Sequence, residues 1–66
     1  MQYRVTEQFP DGSDRYVVIG EASNGTGAEV IAVKYTYSNG HMSRAAEMTR
    51  EELLFAMKVA LEHGMQ

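Results

Sequence analysis

The chain has 66 residues, 44% hydrophobic and 23% charged, with six Lys and Arg against nine Asp and Glu and no cysteine. That mixture is globular, leaves room for one small domain over 1–66, and excludes disulfides, thiolate metal sites and a cysteine nucleophile. No apolar run approaches the roughly 18 residues of a membrane span, and no signal-peptide core opens the chain, so a soluble cytoplasmic protein is expected.

Tyr3, Val5 and Phe9 alternate with Arg4, Thr6 and Gln8, the period-two pattern of a half-buried strand. Pro10-Asp11-Gly12 then predicts a turn, because Pro presets φ and Gly accepts φ > 0. Arg15 to Ala22 reads as a second strand, Asn24 to Gly27 as the next turn, and Glu29 to Ser38 as a third strand. Asn39-Gly40 is the strongest hairpin signal in the chain. His41 to Met48 would form a fourth strand. Ala45, Ala46 and Glu47 weaken it, and a loop or an earlier helix start near Ser43 are the alternatives.

Apolar faces must match across each hairpin, and this fixes an expected register. An odd loop between the second and third strands sets Ile19 opposite Ile31 and Val17 opposite Val33. A three-residue Pro10-Asp11-Gly12 loop sets Val5 opposite Val17, Tyr3 opposite Ile19 and Glu7 opposite Arg15. A two-residue Asn39-Gly40 turn sets Tyr37 opposite Met42, Val33 opposite Ala46 and Ile31 opposite Met48. All three hairpins then share one inner face.

Thr49-Arg50-Glu51-Glu52 has the form of a capping box, and Gly64 sits where a C′ glycine belongs, so a helix is predicted between them. Leu53, Leu54, Met57, Ala60 and Leu61 make a stripe suited to pack on Val5, Val17, Ile19, Ile31, Val33 and Tyr35. The expected fold is α+β: a four-stranded antiparallel meander with one C-terminal helix across its inner face, ββββα.

Two surfaces stand out. Phe55 and Val59 lie one turn apart on the side of the helix opposite the stripe. On the outer sheet face, Tyr16, Val18, Val30 and Ala32 form an apolar centre inside a polar rim. A domain of this size buries only about 60% of its unfolded surface and needs a staple, and without disulfides that staple is a second subunit.

Chemistry finds little support. Ser43, His41 and Glu47 hold the residue types of a triad but suggest no pocket, and no HExxH, EF-hand or phosphate loop occurs. No catalytic residue, cofactor or metal is assigned. A net charge of −3 opposes nucleic-acid binding, although Arg4 and Lys34 share the outer face. Glu47, Glu51 and Glu52 invite a basic partner, but helix capping accounts for them more simply. The sequence thus points to a non-enzymatic protein-interaction module, a homodimer, with Phe55, Val59, Tyr16, Val18, Val30 and Ala32 as its interface. A monomeric inhibitor or regulator of a larger protein is the second reading.

Overall fold

β-branched and aromatic residues concentrate in three stretches that extend as strands: β1 (Gln2–Gln8), β2 (Arg15–Glu21) and β3 (Glu29–Tyr35). In the computed structural model, which describes residues 1–66, they form an antiparallel sheet in the order β1-β2-β3. Helix α1 (Arg50–Glu62) follows. The α+β class and the antiparallel hairpins agree with the sequence; the fourth strand does not form.

The β2–β3 hairpin has the expected register, with Ile19 opposite Ile31 and Val17 opposite Val33. Its five-residue loop is closed by the Ala22 N–H donating to the Ala28 carbonyl at 2.9 Å. Asn24 Oδ1 organises the loop by accepting from the Thr26 N–H and hydroxyl.

The β1–β2 hairpin is longer than expected. Phe9 N–H donates to the Arg15 carbonyl, so the loop runs from Pro10 to Asp14 and Val5 pairs with Ile19, Glu7 with Val17. Arg15 therefore meets Asp11 instead of Glu7 and lies over the Phe9 ring, 4.4 Å from its centroid. The register then slips between Tyr3 and Val5, leaving Arg4 as the extra residue of a bulge and Tyr3 opposite Gly20. A bulge reverses side-chain parity, so Tyr3 moves to the face of Val18.

After β3 the chain turns through Ser38-Asn39-Gly40, with Gly40 at φ 83° and Tyr37 N–H bonded to the His41 carbonyl. Only two isolated bridges follow, Thr36 with Met42 and Ile31 with Met48. The six steps from Met42 to Met48 match five along β3, so one residue is surplus, and after Ser43, whose N–H still reaches the Tyr35 carbonyl, 44–47 leave the ladder. Tyr37 opposite Met42 and Val33 opposite Ala46 are accordingly not formed, while Ile31 does face Met48.

The core lies on the sheet face opposite to the one expected. Val18, Ala22, Val30 and Ala32 are buried, together with Gly20, Lys34 and Ser43. Gly20, Ala22 and Ala32 are small, which lets main chain approach this face closely. The cover is the segment before the helix: Ser43 is buried and Glu47 reaches the Ser23 N–H and hydroxyl beyond the end of β2. Tyr3 and Lys34 complete it. The Lys34 ammonium donates to Tyr3 Oη at 3.2 Å and sits 5.3 Å from the ring centroid.

Candidate interaction surface

Helix α1 is built as its sequence requires. Thr49 Oγ1 accepts from the Glu52 N–H at 3.2 Å, and Glu52 Oε1 accepts from the Thr49 N–H at 3.0 Å. That bond holds the Glu52 carboxyl below its ordinary pKa. At the other end Gly64, at φ 78°, lets the Met65 N–H reach the Ala60 carbonyl at 2.9 Å.

What the helix lacks is a bed. No residue of α1 is buried. Only Leu53 and Ala60 are half-buried, and Leu53 sits at its foot beside Ile19 and Ile31. The expected packing of the whole stripe across β1, β2 and β3 does not occur. The cause is local. Met48 is tied to Ile31 by two backbone hydrogen bonds, at 2.8 and 2.9 Å, and Thr49 alone separates this bridge from Arg50. With Thr49 held at φ −70° and ψ 166° by the capping box, the helix starts next to the Glu29 end of β3 and, beyond Leu53, meets no other strand along its length.

Two apolar surfaces stay open as a result. On the sheet, Val5, Val17, Ile19 and Ile31 are half-buried, while Val33 is 43% and Tyr35 53% exposed. On the helix, Leu54, Met57 and Leu61 are exposed along one side, Leu61 to 71%. Phe55, at 66%, and Val59 are exposed on the other. The two helix residues singled out by the sequence are thus accessible. The four sheet residues are a correction: Val18, Val30 and Ala32 are buried and Tyr16 half-buried, so this patch is core and offers no docking surface.

The sheet residues that are open instead carry the same period-two signal. What the sequence did not reveal was which apolar face the segment 43–47 would choose.

The size of the opening can be measured. The chain exposes 5206 Å², whereas a compact monomer of 7.4 kDa exposes about 4,200 Å². Its radius of gyration is 13.1 Å, against about 11 Å for a compact chain of this length. The excess of about 1,000 Å² is close to what one partner contributes to a standard protein interface, about 800 Å².

The polar residues are engaged elsewhere. Ser43 Oγ accepts from the Tyr35 N–H at 2.9 Å, Glu47 is bonded to Ser23, and His41 is exposed beside its turn. These three do not assemble into a relay. The Ser23 hydrogen bonds lower the Glu47 pKa. No three His, Asp or Glu side chains gather into a metal-binding group, and no helix is long and apolar enough to cross a membrane. Among the cations, Arg4 pairs with Glu29 at 2.8 Å, Arg15 with Asp11 and Lys58 with Glu62. With Lys34 buried against Tyr3, only Arg44 and Arg50 have no such partner. No protein-family model matches the sequence, and no curated protein or solved structure is significantly similar to it.

Proposed function

We propose that this chain is a non-enzymatic protein-interaction module that works as a homodimer. The observation that carries the reading is the surface excess of about 1,000 Å² over a compact monomer of this mass. Apolar side chains of the sheet and of α1 are exposed in the same chain, Val33 and Tyr35 on the one and Leu54, Met57 and Leu61 on the other. Exposed apolar side chains gathered in this way are what interfaces use.

Charge supports a protein partner over nucleic acid. The net charge is −3, and most of the basic side chains are engaged with carboxylates or buried. A phosphate backbone would meet no free basic stripe. Two of the three acidic residues near the helix start are likewise in use, Glu52 in the capping box and Glu47 on Ser23.

Light scattering after size exclusion, over a range of protein concentrations, tests the proposal. The expected mass is twice 7.4 kDa, persisting on dilution. A monomer at every concentration overturns homodimerisation and leaves the open face to a larger protein, as expected of an inhibitor or regulator.

A further inference from the structure

The open sheet face and the unpacked helix lie in one chain, and that chain cannot bring them together. Swinging α1 over its own sheet requires breaking either the Met48–Ile31 bridge or the capping box, because Thr49 is the only residue between them. A second copy escapes this constraint. Resting on the homodimer reading above, we infer that the two copies exchange helices: Leu54, Met57 and Leu61 of each α1 cover Ile19, Ile31 and Val33 of the other sheet.

The dimensions agree. A helix of 13 residues is about 20 Å long, and strands of seven residues are about 23 Å long. One helix therefore spans the open face from end to end. The three helix residues fall at spacings of three and four, a continuous edge of about two turns. That edge adjoins Leu53, which lines one cleft with the chain's own Ile19 and Ile31, so an apolar layer would run from one sheet through the helix to the next.

Exchanged reciprocally between the same two copies, about a two-fold axis, the contact is isologous. It therefore closes at two subunits. The surface excess of each copy, about 1,000 Å², is of the size that one partner contributes to a standard interface. Phe55 and Val59 point away from this layer.

The chain has no cysteine, so introduced thiols report directly. Protein carrying only Val33→Cys is mixed with protein carrying only Met57→Cys, equilibrated, and treated with a short bismaleimide. The exchange predicts a covalent dimer in the mixture well above that formed by either variant alone. A double variant of the same two positions should give little intramolecular product. Tyr35→Cys with Leu61→Cys serves as a second pair, should either first variant lose its far-UV circular dichroism. Efficient capture of Val33→Cys by Phe55→Cys in place of Met57→Cys overturns the arrangement, since the helix then docks by its other side. A dimer by light scattering that yields no intermolecular product with either pair overturns the exchange but leaves the homodimer standing. A monomer overturns both.

Discussion

Replacing Gly20 by alanine should destabilise the fold, and the sign of the effect is diagnostic. Gly20 lies inside β2 without a positive φ, so its backbone is one that any residue adopts. By propensity alone, alanine there would stabilise by about 0.5–1 kcal/mol, chiefly by restricting the unfolded chain. The structure predicts the opposite. A Cβ at this position would lie 1.9 Å from the Gln2 carbonyl oxygen and 3.0 Å from Tyr3 Cα. Both are backbone atoms and cannot rotate away.

Relief requires the start of β1 to move by more than about 1 Å, a forced displacement of the kind that costs about 1–3 kcal/mol. That movement also carries Tyr3 Oη away from the Lys34 ammonium, adding about 1 kcal/mol for a buried donor left without its acceptor. The total is about 2–4 kcal/mol. For a domain of this size each kcal/mol is worth about 4–8 °C, so Tm should fall by at least about 8 °C. Thermal unfolding followed by circular dichroism, at one fixed protein concentration, measures it. An unchanged or raised Tm for Gly20→Ala refutes the close approach of Gln2 and with it the bulge at Arg4.

Tyr3→Phe should cost about 1 kcal/mol by itself, and combined with Gly20→Ala the two losses should sum to less than their separate values. Thr49→Ala removes the acceptor for the Glu52 N–H and should cost about 1 kcal/mol, read as a lower Tm and reduced helical ellipticity. Hydrogen bonding from Ser13, followed by that from Arg15, lowers the Asp11 pKa from 3.8 to about 2. A depressed carboxylate contributes stability that is present above its unfolded value and is lost as pH falls through the folded one. Tm should therefore decline between about pH 4 and pH 2, and Asp11→Asn should flatten part of that decline. Glu47 and Glu52, lowered by Ser23 and Thr49, act in the same direction. A Tm–pH curve that Asp11→Asn leaves superimposable on the parent would refute the assignment.

Local signals were the legible ones. Thr49 and Glu52 bond each other as their spacing requires, and parity alone sets Ile19 against Ile31. Longer-range features were harder to read. Pro10-Asp11-Gly12 identifies a turn but not its length, since the loop extends to Asp14. The bulge at Arg4 had one signal available, the isolated Gly20 within an otherwise β-branched run, which marks close backbone approach. The choice of core face could not follow from hydrophobicity, because both faces carry valine. The face that is buried carries the small residues Gly20, Ala22 and Ala32, and that of Ile19, Ile31 and Tyr35 is bulkier. The accessible helix pair Phe55 and Val59 was readable from periodicity. The unpacked state of the whole helix was not, because it depends on the single residue between Met48 and Arg50.

The bulge at Arg4 also bears on how far assembly can run. β1 is an outer strand whose far side has no neighbour, and a straight outer strand is a template on which further chains can add without limit. Arg4 breaks the straightness, while its guanidinium reaches across the sheet to Glu29 at the start of β3. Glu7 adds a second charge further along the strand. A protein with a broad apolar face needs a means of stopping once that face is satisfied. In the dimer proposed above, the irregular margin would separate finite assembly from fibre growth, and straightening it would be expected to favour a polymer.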